Sequence, residues 1–91
     1  GNRPAIIDFY ATWCRPCKMT APMVEELAKD YQGKIDIYKV DIDKELELAT
    51  IFGIQSIPTF LFIPLKGQPT AQMGAMQKED FEKIIKQVLL K

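Results

Sequence analysis

A chain of 91 residues is enough for one domain, residues 1–91, and too short for two. Apolar residues make up 47% of it, which supports a closed core, while 12 Lys and Arg against 12 Asp and Glu argue against a nucleic-acid or membrane-surface partner, whose phosphates require a basic excess. There is no histidine, which excludes His-based metal sites, His general bases and Cys–His pairs, and no apolar run nears the ~20 residues of a membrane span.

Gly1-Asn2-Arg3-Pro4 leads straight into Ala5 without an initiator Met or a signal peptide. The chain therefore reads as processed or excised, and its compartment stays open. Ala5-Ile6-Ile7-Asp8-Phe9-Tyr10 is a short apolar run with one charge, the pattern of a central strand buried on both faces. Residues 15–31 take helical period, with Val24, Leu27, Ala28 and Tyr31 on one face. Pro16 fits the first helical turn, where its missing N–H is harmless, whereas Pro22 falls inside the helix. Gly33 is a C-terminal stop. Residues 35–40 predict a second strand, residues 44–52 a short helix ended by Gly53, and Thr59 to Ile63 a third strand opened by Ile57-Pro58. A turn region with Gly67 precedes a short fourth strand, Thr70 to Met73, antiparallel to the third. Residues 77–90 form an amphipathic helix with Phe81, Ile84, Ile85, Val88 and Leu89 on its apolar face. The order βαβαββα predicts an α/β domain: parallel strands joined by right-handed crossovers, a closing hairpin that adds an antiparallel edge, and helices on both faces of a small mixed sheet.

The two cysteines, Cys14 and Cys17, are too close to close a useful loop, so they are chemistry or half a metal site rather than a structural staple. Zinc needs four ligands, and no second CxxC and no His exist; a metal shared between two chains is the remaining metal reading. The pair sits between the first strand and its helix, where free N–H groups and the helix dipole favour a thiolate. Cys14, at the helix end with Arg15 and Lys18 nearby, is expected to be the accessible nucleophile, and Cys17, one turn in, the resolving thiol. Asp8 is a carboxylate within an apolar strand; burial raises its pKa. Trp13 beside Cys14 is read as an exposed platform, because Trp is rarely fully buried. The four Met residues are read as packing.

Trp13-Cys14-Arg15-Pro16-Cys17-Lys18, inside the stretch that begins Asp8-Phe9-Tyr10-Ala11-Thr12, resembles the Trp-Cys-Gly-Pro-Cys-Lys site of thioredoxins. The resemblance continues through Val40-Asp41-Ile42-Asp43, Phe52-Gly53-Ile54, Ile57-Pro58-Thr59-Phe60 and Met73-Gly74-Ala75, over essentially the whole chain. It implies a thioredoxin fold, and a redox-active Cys14–Cys17 pair that needs no bound cofactor. It also implies electron transport to protein disulfides as a part of cell redox homeostasis. It implies that Asp8 accepts the proton of Cys17, with a structural ion pair to Lys39 as the plainer alternative, and that the Ile57–Pro58 bond is cis. Trp13, Ile57, Pro58, Gly74 and Ala75 would then receive an extended substrate by strand addition.

Two departures matter. Arg15 replaces the family's usual Gly, while Pro16 is kept. Pro16 leans toward a reductase; Arg15 stabilises the thiolate and pulls the other way. Thioredoxin and disulfide isomerase differ by roughly 90 mV, about 4 kcal/mol for two electrons, and one exposed charge is worth about 1 kcal/mol, so Arg15 does not convert a reductase into an oxidase. The second departure is at the start: the family's first strand and helix are absent before Ala5, which predicts a minimal core. Residues 35–40 then form a sheet edge, and either the chain is a less stable fragment or it self-associates there. The expected activity is a dithiol reductase of protein disulfides, re-reduced by a thioredoxin reductase in the cytoplasm or a membrane thiol donor in a bacterial periplasm. An isomerase or oxidase of the same fold and a non-catalytic interaction module are the alternatives.

Overall fold

A computed structural model describes residues 2–90. Strand β1 (Ala5–Tyr10) leads to helix α1 (Arg15–Asp30), then β2 (Asp36–Asp41), the short helix α2 (Leu46–Ile51), β3 (Thr59–Ile63), β4 (Thr70–Met73) and α3 (Lys78–Ile84), which runs on into a π-helical turn at Ile85–Leu89. The strands form one sheet in the order β2-β1-β3-β4. The predicted elements are all present; α2 is shorter than residues 44–52 because none of its residues is buried to hold its ends.

The sheet corrects one expectation. β1 and β2 are parallel, as a crossover through α1 requires, but β3 runs antiparallel to β1 as well as to β4. The register shows the reversal: Phe9, near the end of β1, pairs with Thr59, the first residue of β3, and Ala5 pairs with Ile63. β3 therefore starts at the end where β1 and β2 finish, and this reversal brings Pro58 to the end of the sheet where the cysteines lie.

One face of the sheet carries the main core. Ile6, Phe60 and Phe62 pack under Val24 and Leu27 of α1 and under Phe81, Ile85 and Leu89. The Phe81 ring stands edge-on to Phe60 at 4.9 Å and tilted against Phe62 at 5.0 Å. The buried face of α1 runs Cys17, Thr20, Val24, Leu27. It begins two turns earlier than its apolar residues alone predict, and Ala28 is exposed. On the opposite face Phe9 meets Phe52 at 5.6 Å, while Leu46 and Ile51 of α2 stay in solvent. β2 is an outer strand, as expected for residues 35–40, with Tyr38 and Lys39 exposed. Across the main core, Lys78 Nζ bridges α3 to α1 through Glu26 at 2.7 Å and Asp30 at 2.9 Å.

Candidate active site

β1 ends at Tyr10, and the turn that follows is closed by the Cys14 N–H donating to the Ala11 carbonyl at 3.2 Å. Cys14 is the N-cap of α1: its backbone is extended, and its Sγ accepts the Cys17 N–H at 3.2 Å. A helix start leaves N–H groups without partners, and here a sulfur takes one of them. Pro16 lies in the first turn, where no N–H is needed. Arg15 and Pro16 are exposed. Cys14 and Cys17 are joined as a disulfide, with Cα atoms 5.3 Å apart.

Both cysteines are nearly closed off, Cys14 at 4% exposure and Cys17 at 7%. Cys14 is thus not the more accessible of the two in the disulfide state. Ala11, with Tyr10, Ile42 and Ile57 packed around it, walls in the pair. What distinguishes Cys14 is the N–H directed at its sulfur, not its exposure.

The residues expected to receive substrate gather on the same end of the sheet. The Ile57–Pro58 peptide is cis, and Pro58 is buried beside half-buried Ile57. The Gly74 N–H donates to the Pro58 carbonyl at 2.8 Å, tying the loop after β4 to the proline. Gly74 has φ +92°, and a Cβ there would meet nothing within 4 Å, so the backbone conformation selects glycine here rather than crowding within the chain. Ala75 follows it on the surface. Trp13 is 66% exposed, and its Nε1–H donates to Asp43 Oδ2 at 2.8 Å. Asp43 was visible in sequence only as part of a shared motif. Its role as the anchor of the Trp13 ring could be found only by bringing residues 30 positions apart together.

Beneath the disulfide lies a cavity of about 250 Å³ lined by Asp8, Tyr10, Cys17, Lys18 and Lys39 among others. Asp8 is 4% exposed. Burial pushes its pKa up from 3.8 to about 6, and the positive charge of Lys39 pulls it partly back. Register pairs Asp8 with Lys39 across the β1–β2 ladder. The side chains nevertheless do not form a contact ion pair: the pairs among the described residues are Arg3–Asp36 and Lys78 with Glu26 and Asp30. The Lys39 ammonium lies over the Tyr10 ring instead, 4.8 Å from its centroid. Tyr10 is a second residue without an assigned role in the sequence reading, although a period of two places it on the face of Asp8.

Among the described residues no group of three His, Cys, Asp or Glu side chains is placed to hold a metal ion, and no helix is long and apolar enough to cross a membrane. The arrangement can carry out thiol chemistry: a sulfur at a helix end, a second sulfur one turn in, and a buried carboxylate opening on the same cavity as the second.

The family model for thioredoxin matches residues 1–87. The chain is 56% identical over 86 residues to a thioredoxin of Borreliella burgdorferi, covering 94% of this chain and 74% of that protein. It is 47% identical over 75 residues to an M-type chloroplastic thioredoxin of Pisum sativum, covering 82% of this chain and 44% of the pea protein. Among solved structures, the crystal structure of chloroplastic thioredoxin z superposes with a TM-score of 0.86 at 30% identity, covering 93% of this chain and 77% of that one.

Proposed function

The chain belongs to the thioredoxin family and is a dithiol–disulfide oxidoreductase, and from that premise we propose that it reduces protein disulfides with Cys14 as nucleophile and Cys17 as resolving thiol. The observation that carries the assignment is the cap: the Cys14 sulfur faces the start of α1 and accepts the Cys17 N–H, so negative charge on it is stabilised where it forms.

The reaction balances as two exchanges. The Cys14 thiolate attacks one sulfur of the substrate disulfide, forming a mixed disulfide and releasing the first substrate thiolate. Cys17 passes its proton to the Asp8 carboxylate across the cavity. Its thiolate attacks the Cys14 sulfur, closing the Cys14–Cys17 bond and releasing the second substrate thiolate. Two electrons have passed from the dithiol to the substrate. Trp13, Ile57, the cis Pro58, Gly74 and Ala75 form the surface that holds the substrate chain, with the Trp13 ring kept in place by Asp43. Lys39 supplies the charge that keeps Asp8 ionisable. Arg15 favours the thiolate of Cys14, and Pro16 keeps the pair in the reducing range.

The substrates are disulfide-containing proteins, and the electrons come from a thioredoxin-reductase type of donor. The 56% identity to a bacterial thioredoxin supports a cytoplasmic system over a membrane thiol donor. The outer edge of β2 is a second, separate contact surface, where self-association would appear in light scattering as a mass that rises with concentration.

The test is trapping. Cys17→Ser accumulates a mixed disulfide with insulin on Cys14, detectable by mass spectrometry, while Cys14→Ser forms none. A stable adduct on Cys17 in Cys14→Ser, with none on Cys14, reverses the assignment. A reduction potential near −180 mV instead of about −270 mV makes the protein an isomerase. An intact protein that reduces no disulfide is an interaction module.

A further inference from the structure

Tyr10 follows Asp8 by two residues on the same face of β1, so its ring stands beside the Asp8 cavity and lines it. Tyr10 also packs against the cluster of Ala11, Cys14 and Cys17. The Lys39 ammonium rests 4.8 Å from the ring centroid. Lys39 is an exposed residue on an outer strand. A lysine in that setting has rotamer entropy to lose on being held in one place. With no carboxylate in contact, the aromatic face is what holds it.

We infer that Tyr10 is a positioning residue, whose ring holds the Lys39 ammonium at the mouth of the Asp8 cavity and so keeps Asp8 ionised where it can take the proton of Cys17. The inference rests on the reading of Asp8 as proton acceptor. The groups that face Asp8 are few. β2 contributes Lys39, and Asp41 beyond it, whose Oδ1 is engaged by the Asp43 N–H at 2.9 Å. α1 contributes Cys17 and Lys18. β1 contributes Tyr10, and β3 places the uncharged Phe60 opposite. Burial works against the carboxylate, and Lys39 is the charge that opposes burial. A Lys39 side chain released into solvent is farther away and screened, so Asp8 holds its proton to higher pH and becomes available to take that of Cys17 only at higher pH. The simpler alternative is that Tyr10 only walls in the disulfide.

The experiment follows the Asp8 carboxyl by carbon NMR across pH in the oxidised protein, together with the pH profile of single-turnover reduction of a disulfide peptide. Tyr10→Leu is expected to raise the Asp8 midpoint by about half a pH unit, roughly threefold in its ionisation constant, and to move the turnover profile up with it. Lys39→Met raises the midpoint at least as far, and the double variant no farther than Lys39→Met alone. Tyr10→Phe keeps the ring and keeps the midpoint. If Tyr10→Leu does not fold, Tyr10→Met retains apolar bulk without a ring and is read in the same way. An Asp8 midpoint unmoved by loss of the ring but moved by Lys39→Met overturns the inference, as do shifts that add in full. A midpoint that moves while the turnover profile stays, with Asp8→Asn resolving normally, upholds the hold of Tyr10 on Lys39 and removes Asp8 from proton transfer.

Discussion

Ile6 and Asp8 stand two residues apart on one face of β1. Ile6 lies under α1 and α3, in a cluster that holds three Phe rings and no charge. Asp8 is nearly as buried, yet it opens on a cavity with a cation at its edge and a disulfide above it. The same strand face thus serves two purposes. Where side chains close over it, the sheet is held together; where the first turns of α1 leave space, a carboxylate survives with its pKa raised to about 6. The difference shows that burial by itself does not decide what a position does. The neighbours that come with burial decide it.

The largest effect expected at the Ile6 end is from Phe81→Ala, which removes the ring between Phe60 and Phe62. The loss is about 3–5 kcal/mol in urea unfolding, a large share of the about 5–15 kcal/mol of an ordinary domain. Turnover per folded molecule stays as it was. A loss under about 1 kcal/mol, or a redox defect in the folded fraction, shows that the two ends are not separate.

The opposite sign is expected at Asp8. The unfolded chain ionises Asp8 near 3.8 and the folded chain near 6, so between these values the unfolded state loses its proton first. Stability therefore falls as pH rises through that window, and the penalty is constant above it. The span corresponds to at most about 3 kcal/mol. Asp8→Asn removes the penalty, so the variant is more stable than the parent at pH 8, equal to it below about pH 4, and slower in resolving a mixed disulfide. A variant that is less stable at pH 8 with normal resolution makes Asp8 structural.

The smallest effect is expected from Lys78→Met, which removes the bridge from α3 to Glu26 and Asp30. These are exposed groups, so a slight drop in melting temperature should fade at high salt, with redox turnover unaltered. A large drop that persists at high salt would mean that the clamp, not the Phe81 cluster, joins α3 to α1.

Much of this was legible from the chain alone. The strand and helix periods of residues 5–10 and 15–31 place the CxxC at a helix start, and Cys14 as cap follows from that placement. Cis Ile57–Pro58 was legible only through family resemblance, since roughly 5–6% of X–Pro bonds are cis. Ala28 is apolar and in period with the buried face of α1, yet it is exposed, and Cys17 and Thr20 extend the burial two turns earlier. Composition marks which residues can be buried, and the packing of the helix against the sheet selects among them.

Local pattern by itself determined the kinds and order of the elements, the two sulfurs one helical turn apart, and a carboxylate set in an apolar strand. These follow from interactions within a few residues, which periodicity records. Only the tertiary structure decided that β3 turns back antiparallel to β1 and brings Pro58 to the cysteines. It also decided that Trp13 is tied to Asp43, and that the Lys39 ammonium rests on Tyr10 rather than on Asp8. Each of these joins residues far apart in the chain, and each depends on distances across the sheet. A period of two gives the face on which a side chain lies, but not which of its neighbours there it reaches.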